Sequence, residues 1–523
     1  MDYVVGSGPS GVMAAKALLD RGRAVTMLDG GAVLEPERAA AAAALAASGP
    51  ESWSPAARAK VLNPLERPTP KLSFGSSFPY ARGAEAGLEE HGTRCLLSLA
   101  KGGLSNVWGA AVLPAPSDEL DGWPVAAAEL APHYVEAAAV LKIAAARGEL
   151  EDLFPFHAEP EPAAPLSPQA AILLEGLRGR SGALADAGLR FGRSRLALRT
   201  QDAPEGRGCV RAGLCLSGCP YGAIWNAAAV VAALERRPGF RYEPGLRVLR
   251  AESRGASAAV VARRLSGGPE ERFEGDRVFL ACGPLATARV ALASVDSGGR
   301  ELTLRFQPYF LLPAVMAKGA PGADDERSVT LAQLFLELRD ERVSRRLVHL
   351  QVYTRNEFTD DRLARAARWA GPLAGAVRRA LGGRLLAIQG YLHSDEAEGI
   401  AVTAVREGGD CRLVLRARSE KNLRRRVRLA ASAIAARRRD LGFAALTPML
   451  QIGPPGEGNH SGGIFPMRAR PGEFETDRLG RLPGLDRVHL VDSSVLPSLS
   501  AATFTYTVMA NAHRIAAEAA EAA

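Results

Sequence analysis

Val4-Val5 leads directly into Gly6-Ser7-Gly8-Pro9-Ser10-Gly11, and an apolar-periodic stretch from Val12 to Leu19 follows. This order of strand, glycine turn and helix constrains the chain more than any other segment. Gly6 permits the tight turn, Gly8 lets backbone approach a pyrophosphate, and Gly11 lets the helix pack close to the strand. Pro9 and Ser10 open the helix, whose free N–H groups face the phosphates. A second strand, 24–28, ends at Asp29, eighteen residues past Gly11, where an acceptor for a ribose 2′-OH belongs. The unit reads as dinucleotide-binding. An acid at Asp29 disfavours a 2′-phosphate but leaves NAD and FAD open.

At 523 residues the chain is long enough for two or three domains, or for two that share it in interleaved pieces. Hydrophobic residues at 47% and charged residues at 23% exclude a disordered, collagen-like or disulfide-stapled chain. The net charge of +8 rests on 58 Arg against 7 Lys, and no nucleic-acid-binding motif accompanies it. No apolar run reaches the roughly 18 residues of a transmembrane helix, and no signal peptide is read. The expected compartment is the cytoplasm, with export beside a signal-bearing partner as the alternative. Residues 33–70 read as a surface helix and loop.

Further segments carry the cofactor assignment. Lys101-Gly102-Gly103-Leu104-Ser105-Asn106-Val107-Trp108-Gly109 is a second glycine-rich loop. Asp121-Gly122-Trp123-Pro124 precedes a helix through Leu130 and Tyr134. Val278-Phe279-Leu280-Ala281-Cys282-Gly283-Pro284 reads as a buried strand entering a turn and helix. Near the C-terminus stand His460, Gly463 and Met467, a strand Val488-His489-Leu490-Val491-Asp492, then Ser494-Val495-Leu496-Pro497 and Thr507-Val508-Met509-Ala510 before a final helix. Together these resemble the glucose–methanol–choline (GMC) oxidoreductases, flavoenzymes that oxidise alcohols.

The resemblance implies an α/β fold in which a Rossmann-type FAD-binding domain (1–125, 200–303 and 456–523) interleaves with a substrate domain (126–199 and 304–455). The latter is built on an antiparallel sheet with helices. It implies FAD, with Gly6, Gly8, Pro9, Ser10 and Gly11 at the pyrophosphate and Asp29 at the adenosine ribose. Val248 matches a residue whose backbone meets adenine. Gly102, Gly103, Ser105, Asn106 and Trp108 should line the flavin, and Asp492 should reach its ribityl or pyrophosphate side. His460 matches the catalytic base that takes the hydroxyl proton, a task suited to imidazole. The family places a second His or Asn about forty residues later. Thr503 stands there, and it cannot carry a proton as imidazole does. Asn459 is a neighbouring candidate. His349 and His393 read as sheet residues.

Half of the six cysteines fall in Cys209-(five)-Cys215-(three)-Cys219-Pro220. Pro220 suits the first position of a helix running through Ala233, which puts Cys219 at an N-cap where the dipole stabilises a thiolate. The segment is similar to that of bacterial FAD glucose dehydrogenase catalytic subunits, which carry a [3Fe-4S] cluster; plain thiols or a disulfide are the bland alternative. A cluster passes electrons onward to an acceptor protein or small subunit. The expected substrate is a small alcohol or sugar, and no nucleic acid is involved. A basic stretch, 362–384, reads as a solvated helix covering the sheet, with a membrane surface or a docked partner as the alternative. Altered flavin chemistry, or a non-catalytic electron-transfer subunit, are the competing readings.

Overall fold

The computed structural model describes residues 1–62, 71–81, 86–295, 298–321, 323 and 327–522. Part of the expected 33–70 helix and loop, residues 63–70, lies outside them. Asp2–Val5 is buried at every position and pairs in parallel with Val25–Leu28 on one side and Arg277–Leu280 on the other. Phe240–Glu243 and Val488–Leu490 complete a five-stranded parallel sheet. Strands buried on both faces need helical cover. Helix Pro9–Asp20 supplies it, packed against Thr505–Glu521, which in turn packs on Ala127–Leu141. An antiparallel meander, Leu246–Arg254, Ser257–Arg264 and Glu270–Gly275, adjoins this unit.

A second, antiparallel sheet has the order Phe443–Ala445, Tyr309–Met316, Leu385–Leu392, Ser344–Tyr353, Leu334–Asp340 and Leu189–Arg193, with Gln451–Ile452 paired to the Tyr309 strand. The alternation read in Leu334–Leu338 and Leu386–Tyr391 belongs to it. The 362–384 stretch forms helices Glu357–Ala367 and Ala374–Gly382 between two of its strands. A third sheet joins Ser461–Gly462, Leu302–Phe306, Ile400–Glu407, Asp410–Ala417 and Leu88–His91, so it draws strands from both expected units. The architecture is an α/β fold with a Rossmann-type unit and a sheet-based unit interleaved along the chain. Among the described residues no helix is long and apolar enough to cross a membrane.

One expectation fails locally. No helix begins at Pro220. Residues 219–222 form a turn, and the helix is Ala227–Leu234, capped by Asn226, whose Oδ1 accepts from Ala228 N–H at 2.7 Å. Cys219 is therefore not an N-cap, and its sulfur instead accepts from Ala223 N–H at 3.4 Å.

The glycine turn separates packing from binding. A Cβ on Gly11 would lie 2.0 Å from Gly6 O, whereas one on Gly8 would meet nothing within 4 Å. Gly11→Ala is expected to lower the melting temperature by an overpacking cost of about 1–3 kcal/mol. Gly8→Ala should melt as the parent does. Thermal unfolding of the two variants, monitored by circular dichroism, checks the contrast.

Candidate active site

A cavity, partly open to solvent, begins at the glycine turn. Gly6, Ser7, Gly8, Pro9 and Ser10 line one part; Asp29, Gly30, Arg247 and Val248 another; Gly103, Leu104 and the 96–100 segment a third; Asn459 and Ser461 close it. The strand, turn and acid of the N-terminal unit thus meet the second glycine loop and the His460 segment around one space.

Ser7 ties these walls together. Its Oγ donates to Asp29 Oδ2 at 2.7 Å and accepts from Gly102 N–H at 2.8 Å. Asp29 Oδ2 also accepts from Tyr242 Oη at 2.8 Å and Gly31 N–H at 3.2 Å. Oδ1 accepts only a long bond, 3.3 Å, from Ser7 N–H, which leaves it capacity for a ribose hydroxyl. Burial raises the Asp29 carboxyl from its ordinary 3.8 to about 6, against the lowering effect of these donors.

Within the second loop the side chains brace rather than line. Ser105 Oγ donates to Gly102 O and accepts from Ala227 N–H, Asn106 Oδ1 accepts from Asn226 Nδ2, and Trp108 Nε1 donates to Trp225 O at 2.9 Å. Only Gly103 and Leu104 of Gly102–Trp108 reach the cavity wall. Val248 lines the cavity, and its carbonyl accepts from Arg289 Nη2 at 2.8 Å. Asp492 lies outside the lining. Its carboxylate accepts from Thr287 Oγ1 at 2.5 Å and Ser494 N–H at 2.9 Å. Arg247 and Arg289, both paired with Asp410, flank the cavity without any sequence signal.

Asn459 has a left-handed backbone, φ 60°, and turns the chain at the end of the cavity. The His460 ring lies between Tyr391, 5.2 Å away, and Phe504, 5.4 Å away. Its Nδ1 is buried without a hydrogen-bond partner, and burial pushes the imidazole down to about 4. Thr503 Oγ1 accepts from Leu113 N–H at 3.0 Å and keeps its own proton to donate.

All three thiols of the cysteine segment are free, and they lie within electrostatic reach of one another. Among the described residues they do not form a group with the close ligand spacing of a single metal ion. Burial raises Cys209 and pushes Cys215 up to about 12. Beside them is half-buried Lys71, lowered to about 8 by desolvation, whose Nζ donates to Trp108 O at 2.7 Å.

No protein-family model and no curated protein matches this chain. Solved structures do. Pyridoxine 4-oxidase from Mesorbium loti matches with a TM-score of 0.60 at 15% identity, covering 99% of this chain and 98% of that one. A formate oxidase variant from Aspergillus oryzae matches with a TM-score of 0.64 at 13% identity, covering 100% and 98%. An FAD-dependent oxidoreductase from Chaetomium thermophilum matches with a TM-score of 0.57 at 13% identity, covering 98% of each. The likeness runs over the whole chain, and the fold is the expected one, an α/β fold with a Rossmann-type unit interleaved with a sheet-based unit.

The raised Asp29 carboxyl makes a stability prediction. Between about pH 4 and 6 the dinucleotide-free folded chain holds a proton that the unfolded chain has lost, so this group costs stability as pH rises through that window. The cost is up to about 3 kcal/mol. Asp29→Asn should remove that component, and melting temperatures of both proteins across the window measure it.

Proposed function

We propose that the protein is an FAD-dependent oxidoreductase that oxidises a CH–OH group of a sugar, polyol or other alcohol. One observation carries this reading: a single cavity runs from the Gly6–Ser10 turn to Asn459 and Ser461, the two neighbours of half-buried His460, whose Nδ1 is buried without a hydrogen-bond partner. The residues fit the group. Gly8 presents no side chain to the cavity, Asp29 Oδ1 retains acceptor capacity, and Val248 lines the wall beside Asp29, where the adenine would lie. Gly6, Pro9, Ser10 and Gly11 shape the pyrophosphate end, Gly103 and Leu104 the flavin side, and Asp492 fixes the chain behind them. Gly102, Ser105, Asn106 and Trp108 hold the second loop in place. FAD, when bound, supplies the acceptor for a hydride from the alcohol carbon.

His460 supplies the base. Burial keeps it neutral above about pH 4, so Nδ1 or Nε2 can accept the hydroxyl proton. Tyr391 and Phe504 flank the ring and restrict its orientation. Thr503 orients by donating its hydroxyl hydrogen to the substrate oxygen, and Asn459 shapes the wall beside it. With one imidazole where the resembled family has two polar partners, a second reading keeps the flavin and changes the reaction to a reduction or isomerisation. Cys209, Cys215 and Cys219 lie within electrostatic reach of one another, which supports a [3Fe-4S] site larger than a single ion, through which an acceptor protein or small subunit would be served. Two structurally similar proteins are oxidases, which favours oxygen as acceptor when the thiols carry no iron.

His460→Ala is expected to slow alcohol-driven bleaching of the flavin band near 450 nm by about 10²–10⁴-fold. In the parent, kcat/KM should be level with respect to this group above pH 5 and fall below about pH 4 as the imidazole is protonated. Stopped-flow absorbance reads both, and an unchanged rate in the variant sinks the assignment. For the cysteines, protein purified without oxygen should yield about three irons and four acid-labile sulfides per chain. Absence of both leaves plain thiols.

A further inference from the structure

The face of the antiparallel sheet that meets His460 is polar where a packed sheet is normally apolar. Glu337, His349, Tyr391 and Tyr309 stand in one row across four strands, each the register partner of the next. Two residues along, Gln351 is paired with Gln389. Adjacent antiparallel strands therefore carry the same pattern, Gln351-Val352-Tyr353 and Gln389-Gly390-Tyr391. In each, the phenol donates to the glutamine two residues before it: Tyr353 Oη to Gln351 Oε1 at 3.1 Å, and Tyr391 Oη to Gln389 Oε1 at 3.3 Å.

The deeper pair is anchored further. With Gln351 Oε1 turned to Tyr353, its Nε2 faces His349 Nε2 at 3.2 Å. That ring nitrogen must then be the acceptor, so the proton sits on Nδ1 and is donated to Glu337 Oε1 at 2.7 Å. Glu337 and His349 are fully buried. Every link from Tyr353 to Glu337 donates in one direction, which leaves the Tyr353 oxygen with acceptor capacity only. That oxygen lies 3.3 Å from where a Cβ on Gly109 would be, at the end of the second glycine loop. The Tyr391 oxygen is left in the same state, on a ring 5.2 Å from His460.

Buried polar atoms almost always have partners, yet several here lack one. Glu337 Oε2, Arg195 Nη2, Gln307 Oε1 and His460 Nδ1 are all buried and unpartnered. They belong to one neighbourhood. Arg195, stacked on Phe156, and Glu337 act on each other electrostatically, His349 is bonded to Glu337 and lies within electrostatic reach of His460, and Gln307 N–H donates to His460 O at 2.9 Å. Gln307 Nε2 donates to Ser500 O and Ala502 O, next to Thr503. Three of these atoms can accept and one donates. A group of hydroxyls, each both donor and acceptor, satisfies such a set, whereas an alkyl chain would leave every one of them unpaired at about 1–3 kcal/mol each.

Resting on the flavin-alcohol reading above, we propose that the twin Gln-x-Tyr pairs, with Glu337 and His349 behind the deeper one, are the specificity element of the substrate site. They accept hydrogen bonds from hydroxyls beside the reacting carbon, and so select polyols and sugars over monohydric alcohols. The hydroxyls held by Tyr353 and Tyr391 place the remaining one at His460.

The test uses the FAD-loaded protein and its Tyr353→Phe and Tyr391→Phe variants, with glycerol, D-sorbitol and D-glucose set against 1-hexanol. Calorimetry reads binding to the oxidised protein, and flavin bleaching reads reaction. The proposal expects at least one polyol to bind and to outrun 1-hexanol, with its Kd and its KM raised about tenfold by either substitution, the worth of one such hydrogen bond, and with kcat changed less. Equal reaction of 1-hexanol and the polyols, or polyol binding unaltered in both variants, overturns the proposal and leaves the flavin-alcohol reading standing. Polyol binding weakened in the variants without bleaching by any alcohol upholds the subsite and overturns that reading. Should Tyr391→Phe not fold, Tyr353→Phe alone decides.

Discussion

The Ser7 hydroxyl is the point on which the site depends. It lies in the first glycine turn, donates to Asp29 at the end of the next strand, and accepts from Gly102 at the head of a loop almost a hundred residues away. One hydroxyl thus sets the distance between the turn, the acid and the second loop. Hydrogen bonds to a charged group are worth more than neutral ones, and this carboxylate is buried, so leaving it short of a donor is costly. Gly11 extends the same logic: with Gly6 O where its Cβ would be, the helix is held against the strand that carries the turn.

From that fixed end the cavity leads to Asn459 and Ser461. Between them His460 meets the polar face of the antiparallel sheet through the Tyr391 ring, 5.2 Å away. The price of placing Glu337, His349 and Arg195 out of water is substantial, and a core built only for stability would carry aliphatic side chains there. Glu337 and His349 stand in the strand row that reaches Tyr391 and, through it, His460, so their polarity accords with the proposed ligand role better than with folding alone. The lowered imidazole has the same origin, since burial that disfavours its charged form keeps it ready as a base at neutral pH.

Much of this was legible in the sequence where the signal is local. The strand, glycine turn and helix at the N-terminus, Asp29, and the closing strand and helix all follow from short-range periodicity and spacing. Cys219 shows the limit of that method. Pro220 suits a first helical position, but it suits a turn as well, and the better signal was Asn226 before Ala227-Ala228-Ala229-Val230, a capping residue ahead of an apolar run. The second glycine loop was found, yet which of its residues line and which brace depends on the helix at Ala227 arriving from elsewhere. His349 was read correctly as a sheet residue, and its place beside His460 depends on cross-strand register, which no spacing along the chain encodes. The paired Gln-x-Tyr pattern was visible in the letters but carries meaning only once the two strands are neighbours.

The account rests on the claim that the cavity is a flavin dinucleotide site. The most direct measurement is the identity and stoichiometry of the nucleotide released from purified protein by denaturation, read by absorbance and mass. One FAD per chain, with affinity lowered in Ser7→Ala, is the predicted result. Protein that releases no FAD and takes up none on incubation would contradict it.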